Sequence, residues 1–180
     1  MFEDVIQRKA DTVGARLSSS PSQALVSSAA SFIHHGYITE VKSMWLRNIN
    51  LSEVAHASSL ADVNVTKHVL IDNVTGNMSA LISRIKSNVL FVYNKTMLST
   101  EDTSALVQAM QTNVVKVILG GGLVELDMDT LLTYDGRGLC GFVQFCGETW
   151  ERYGDQLATW GETMGWSVEK DVYYLRIERK

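Results

Sequence analysis

Three consecutive runs decide the fold: Asn88-Val-Leu-Phe-Val-Tyr-Asn94, then Ser99-Thr-Glu-Asp-Thr-Ser-Ala-Leu-Val-Gln-Ala-Met110, then Val114-Val-Lys-Val-Ile-Leu-Gly-Gly-Gly122. The first and third are short and rich in β-branched and aromatic residues, as strands are. The second places Leu106, Ala109 and Met110 on one helical face. Ser99 and Asp102 stand at capping-box spacing, and Glu101 and Asp102 suit the positive end of a helix. The triple glycine frees the chain to leave the strand, and a further helical pattern carries the stretch on to Leu132.

The same cycle extends in both directions. The expected strands are Val41–Arg47, Lys67–Asp72, Val89–Tyr93, Val114–Leu119 and Phe142–Cys146. Helical patterns at Ser52–Val63, Asn77–Lys86, Ser99–Gln111 and Asp127–Tyr134 separate them. Aligned on Leu46, Ile71, Val92, Leu119 and Phe145, the strands repeat at spacings of 25, 21, 27 and 26 residues. Met44, Val69, Leu90, Val117 and Val143 stand two places earlier, so all ten aligned positions are apolar. One strand and one helix per unit at this period predicts a short α/β solenoid with a parallel sheet on one side and helices on the other.

The flanks differ. Phe2, Ile6, Ala10, Val13 and Leu17 predict an amphipathic helix, ended by Ser18-Ser-Ser-Pro21, and a second helix carries Leu25, Ala29 and Phe32 to about Gly36. After Cys146, the series Trp150, Tyr153, Leu157, Trp160 and Met164 predicts a long helix over Thr149–Met164, with Gly165 as its stop. Ser167–Glu169 and Val172–Arg179 read as closing strands, with Tyr173, Leu175 and Ile177 on one face. The expectation is a single domain over 1–180. Residues 1–37 form an N-terminal helical cap, 38–148 the repeat region, and 149–180 a cap of helix plus strands.

Strand residues alternate between faces. If the ten apolar positions point inward, Trp45, Leu70, Phe91, Ile118 and Gln144 form the central outward row. Ser43, His68, Val89, Lys116 and Phe142 precede it, and Arg47, Asp72, Tyr93, Gly120 and Cys146 follow it. Four large apolar residues in one outward row mark an interaction surface, a face covered by another part of the chain, or a register off by one. The candidate partner-binding residues are Trp45, Leu70, Phe91, Tyr93, Ile118, Arg47 and Asp72.

Composition narrows the function. The formal net charge of −4 carries no basic footprint for nucleic acid. No apolar run reaches the roughly 18 residues of a membrane span, and the charged, periodic N-terminus does not resemble a signal peptide. Cys140 and Cys146, on one strand, would lie about 20 Å apart, against the roughly 7 Å a disulfide tolerates, so free thiols and a cytoplasmic location are expected. Five Asn-x-Ser/Thr sequons, starting at Asn50, Asn64, Asn73, Asn77 and Asn94, are then chance.

No catalytic, cofactor or metal constellation emerges. Gly136-Arg-Gly-Leu-Cys-Gly141 has dinucleotide-loop spacing but leads from a helix into a strand, the reverse of what that motif needs. Gly120-Gly-Gly122 lacks the Gly-Lys-Ser/Thr of a phosphate loop. His34 and His35 are adjacent and cannot both face one ion from a helix, and neither His68 nor the cysteines have partners at ligand spacing. Surface or capping roles are the default for each histidine. Asp127 and Asp129 read as a helix cap, and Glu151 and Asp155 as a solvated helix face.

The unit Val41-Lys-Ser-Met-Trp-Leu-Arg-Asn-Ile-Asn-Leu51 resembles the L-x-x-L-x-L-x-x-N-x-L pattern of leucine-rich repeats of the ribonuclease-inhibitor-like kind. Val114, Val117, Leu119 and Val124 fit the same frame, as do Leu90, Val92 and Met97, and the resemblance covers about residues 38–148. The consensus asparagine position holds Ile49, Val74, Lys95, Gly122 and Glu148 instead, so the asparagine ladder of that family is missing and an irregular relative is implied. The Thr100–Leu106 segment and the Trp/Tyr-rich end are similar to carboxy-terminal regions of cytosolic immune-type proteins. The resemblance implies a non-enzymatic protein–protein interaction module using the sheet face, in innate immune sensing or regulation, with no cofactor. A structural scaffold or self-associating end-cap is the alternative, and a thiol enzyme using Cys146 the third.

Overall fold

The computed structural model of the chain describes residues 2–19, 22–112, 116–134, 138–139 and 141–180. Two helices open it, α1 (Phe2–Leu17) and α2 (Gln23–His34). Strand β1 (Glu40–Arg47), two 3-10 turns (Leu51–Glu53 and Ala57–Asp62) and strand β2 (Asn64–Asp72) follow. The alternation continues through α3 (Ser79–Arg84), β3 (Val89–Tyr93), α4 (Thr100–Thr112), β4 (Lys116–Gly120), α5 (Met128–Thr133) and β5 (Phe142–Cys146). Helix α6 (Gly147–Thr163) and strands β6 (Ser167–Lys170) and β7 (Tyr174–Glu178) close the chain.

All seven strands form one open sheet in the order β1-β2-β3-β4-β5-β7-β6. The first five are parallel and sit in sequence order, and the closing hairpin adds two antiparallel strands. The register follows the aligned positions. Met44, Val69, Leu90, Val117 and Val143 are cross-strand partners, and so are Leu46, Ile71, Val92, Leu119 and Phe145. All ten are at most 2% exposed. They belong to one core cluster that runs from Ala10 of α1 to Ile177 of β7. The register is therefore not off by one.

Each parallel strand leaves the sheet in the same way. The residue after the strand has positive φ in every unit: Asn48 (56°), Asn73 (52°), Asn94 (51°), Gly121 (74°) and Gly147 (53°). Asparagine and glycine are the residues that tolerate this region. Asn73 Nδ2 also donates to Asn48 Oδ1 at 2.7 Å. This asparagine contact sits one place before Ile49 and Val74, which are buried. Backbone pairing continues past the turn through the Asn50–Thr75 and Met97–Glu125 bridges.

Polar side chains at helix starts, and Tyr153 within α6, tie neighbouring units together. Asp102 and Ser99 form the reciprocal capping box (Asp102 N–H to Ser99 Oγ 3.2 Å, Ser99 N–H to Asp102 Oδ2 3.3 Å). The same carboxylate, 3% exposed, accepts Met78 N–H from the preceding unit at 3.1 Å. Thr149 Oγ1 likewise accepts Val124 N–H at 3.0 Å, and Tyr153 Oη accepts Leu126 N–H at 3.3 Å. Asp127 caps α5 through Thr130 N–H and accepts the Thr100 hydroxyl at 2.6 Å, which holds its carboxyl below the usual range.

Four expectations need correction. The helical pattern at Ser52–Val63 is two 3-10 turns, because Val54 is extended and His56 takes φ of 60° between them. Asn77–Lys86 shrinks to Ser79–Arg84, since Asn77 is used in a turn, its Oδ1 accepting Ser79 N–H at 3.0 Å. Tyr173 is 77% exposed at the hairpin tip, not on the face of Leu175 and Ile177. Four sequon asparagines have structural roles: Asn73 and Asn94 occupy strand-exit positions, and Asn50, like Asn77, opens a turn, accepting Ser52 N–H at 3.1 Å. Pro21, Val114, Val115, Gly136, Arg137 and Cys140 lie outside the described residues.

Candidate functional site

Helices cover one face of the sheet. On the other, Trp45, Phe91, Ile118 and Gln144 remain half-buried, and neither these residues nor Tyr93 and Phe142 join the core cluster. The register places Trp45, Leu70, Phe91, Ile118 and Gln144 side by side across β1 to β5. The expected row exists. Leu70 is the exception in exposure: Trp45 and Phe91 flank it on the neighbouring strands and leave it 8% exposed. It supports the two rings and offers little surface of its own.

The row is ordered by specific contacts. At the β1 end, Trp45 Nε1–H donates to His68 Nε2 at 3.1 Å. The His68 ring meets Phe91 at right angles, 5.5 Å between centroids, and Phe91 meets Tyr93 at 5.6 Å. The Arg47 guanidinium lies 5.7 Å from the Trp45 ring centre while its Nε binds Asp72 Oδ2 at 3.0 Å. These geometries suit cation–π and edge-to-face attraction. Burial first, then Cys146, raises the Tyr93 pKa, and burial first, then Lys67, lowers that of His68.

A second cluster lies at the other end, where β7 joins the sheet. Gln144 Oε1 accepts both Arg176 Nε (3.1 Å) and Nη2 (3.0 Å). The Arg176 guanidinium sits 4.9 Å from the Phe142 ring centre and 5.5 Å from that of Tyr174, and Glu178 lies 3.6 Å away. Lys116 approaches Phe142 from the next strand, 5.9 Å from its ring centre. Sequence reasoning turned His68 outward but left it out of the candidate partner-binding residues, and it did not single out Arg176 or Tyr174. The signal was present: with Leu175 and Ile177 inward, alternation turns Tyr174, Arg176 and Glu178 onto the same face as Trp45.

Gly120 and Gly122 let the turn after β4 pass close to its neighbours. A Cβ on Gly120 would lie 2.7 Å from Cys146 Cβ, and one on Gly122 would lie 2.7 Å from Asn94 Oδ1. Cys146 is a free thiol whose sulfur accepts Gln144 Nε2–H at 3.3 Å. It stands on β5, three strands from His68 on β2, about 14 Å by strand spacing.

Elsewhere, three histidines gather although two are adjacent in sequence. His35 has left α2 as its C-cap, His56 comes from the loop before the second 3-10 turn, and the His34 and His56 rings stack at 3.9 Å. No group of three His, Cys, Asp or Glu among the described residues is arranged to hold a metal ion. A cleft of about 750 Å³ opens near the starts of β2 and β3, lined by polar residues including Asn64, Arg84 and Lys86. Arg84 is already turned toward Ser58 O (2.8 Å) and Asp62 (3.6 Å). No helix among the described residues is long and apolar enough to cross a membrane. Compared with protein-family models, curated proteins and solved structures, the chain matches none.

Proposed function

We propose that the chain is a non-enzymatic protein–protein interaction module, a short leucine-rich-repeat-like solenoid whose helix-free sheet face docks a protein partner in the cytoplasm. One observation carries the reading. The aromatic row of Trp45, Phe91 and Tyr93 is half-exposed, outside the core, and held in fixed orientation by its own contacts. Aromatic anchors of this kind bury large area at small entropic cost and dominate binding hot spots. The Arg47–Asp72 pair at one end and Arg176 with Gln144 at the other frame the row with polar groups, as a binding rim does. The proposed setting, innate immune sensing or regulation, rests only on the resemblance read from the Thr100–Leu106 segment and the Trp/Tyr-rich end.

The test is capture from cytosol with the native chain beside Trp45→Asp and Phe91→Asp, all checked by circular dichroism. A Tyr173→Asp chain, altered at the exposed hairpin tip, serves as the control. The expected result is a partner retained by the native and control chains and lost by both face variants while they stay folded. Identical captures by all four chains overturn the reading. Light scattering on the same samples separates the scaffold alternative, which requires a native dimer or larger species that Phe91→Asp dissociates.

A further inference from the structure

The Trp45–His68 contact imposes a chemical requirement on one group of the docking face. An indole nitrogen can only donate, so a bond of 3.1 Å to His68 Nε2 requires a lone pair on that atom. His68 is then neutral, with its proton on Nδ1, the tautomer assigned by the bond it accepts. An imidazolium carries N–H on both nitrogens. Protonation therefore sets donor against donor across the contact.

The surroundings offer an imidazolium little compensation. On β1, Glu40 accepts from Asn64 at 3.3 Å and Arg47 is tied to Asp72 of β2 at 3.0 Å. The other charged groups on these two strands are the cations Lys42 and Lys67. Strand β3 presents Val89, Phe91 and Tyr93 and no carboxylate, and Lys116 follows on β4. Partial burial and the adjacent Lys67 both favour the neutral ring.

We propose that His68 is a proton-operated catch on the docking face: neutral, it holds the Trp45 indole in the aromatic row, and protonated in mild acid it releases Trp45 and breaks the order of that row. The proposal rests on the docking reading only for its consequence, a face competent near neutral pH and remodelled in acid. The catch itself needs no partner to be observed.

The experiment follows the Trp45 indole N–H by ¹H–¹⁵N NMR of the full chain, assigned by its loss in Trp45→Phe, from about pH 7.5 to about pH 5. A soluble nitroxide reports the exposure of the same N–H. The expected result is a single titration step with a midpoint below about 6.5, coincident with the His68 ring signals, and stronger nitroxide broadening on the acid side. In His68→Gln, whose amide oxygen accepts the indole N–H but does not titrate, the resonance should stay near its neutral-pH position throughout. Circular dichroism across the range confirms that both chains remain folded. An indole signal that ignores His68 titration, or that titrates equally in His68→Gln, overturns the catch. Capture by the native chain but not by Phe91→Asp decides the docking reading separately, so failure of one leaves the other standing.

Discussion

The two faces of the sheet are built from the same five parallel strands, and each carries large apolar residues, yet only one face is packed into the core. Leu90 and Phe91 are neighbours in sequence. Leu90 is fully buried in the core cluster, whereas Phe91 is half-buried, lies outside that cluster and meets the His68 and Tyr93 rings on the outward face. Hydropathy does not separate them. What separates them is which face the helices cover, and helix placement follows from the inward register. An apolar residue is core when the opposite layer completes its packing, and a candidate anchor when nothing does.

The largest test of that contrast is a pair of substitutions one residue apart. Leu90→Ala removes fully buried volume and should cost about 2–5 kcal/mol in urea unfolding. Phe91→Asp loses cross-strand ring contacts on a wet face and should cost about 1 kcal/mol or less. Equal losses would mean that the outward face is a second core. Close behind comes Asp102→Ala. Its buried carboxylate serves both its own helix and Met78 of the preceding unit, so removal strands two N–H groups and should cost about 2–3 kcal/mol. A loss no greater than that of an ordinary exposed cap would show that the units are not coupled through it.

The two edges of the sheet sharpen the comparison further. On the β1 side, Ser18 Oγ accepts Ser43 N–H (3.1 Å) and donates to Ser43 O (2.8 Å), and the Gln23 amide does the same for Asn50 (3.0 Å each). Two side chains thus occupy backbone positions that a neighbouring strand would otherwise use. The β6 edge relies instead on shortness and on Glu169 and Lys170, which discourages pairing without sealing it. Ser18→Ala with Gln23→Ala should cost about 1–2 kcal/mol and raise the association state seen by light scattering. A double variant whose association state matches that of the native chain would show that the N-terminal helices already block that edge by bulk. At the strand exits, Asn73→Ala should cost about 1 kcal/mol and Asn73→Gly less, since both lose the bond to Asn48 and only alanine adds left-handed backbone strain.

Sheet order, register and both sets of facing residues were legible because the strand period and the alternation of side chains are local signals that five units repeat. The capping box at Ser99–Asp102 was legible for the same reason. The region around His56 was not, since its left-handed backbone breaks an apolar pattern that still reads as helical. Nor was the second contact of Asp102, to Met78, because a bond between residues 24 apart leaves no trace in either segment. Among site residues, Trp45, Phe91 and Tyr93 followed from alternation. Alternation also turned His68 outward, but its role did not follow, because an outward histidine on a strand looks the same in sequence whether it faces water or accepts an indole N–H. The closeness of His34, His35 and His56 was hidden likewise: it depends on His35 leaving the helix and on a loop arriving from elsewhere.

The smallest expected effect bears on His68 and sets the outward face against the core by pH. The folded pKa of His68 lies below its unfolded value, so the unfolded chain binds the proton more tightly. The resulting stability is fully present above about pH 6.5, the unfolded value, and is lost as pH falls toward the folded pKa. Thermal unfolding of the native chain should therefore weaken slightly over that window, and His68→Gln should remove this component of the slope. Leu90→Ala should lower stability at every pH without altering the slope, because no ionisable group is lost. If His68→Gln leaves the pH dependence intact, the slope belongs to groups elsewhere, and the outward face is as insensitive to protons as the core beneath it.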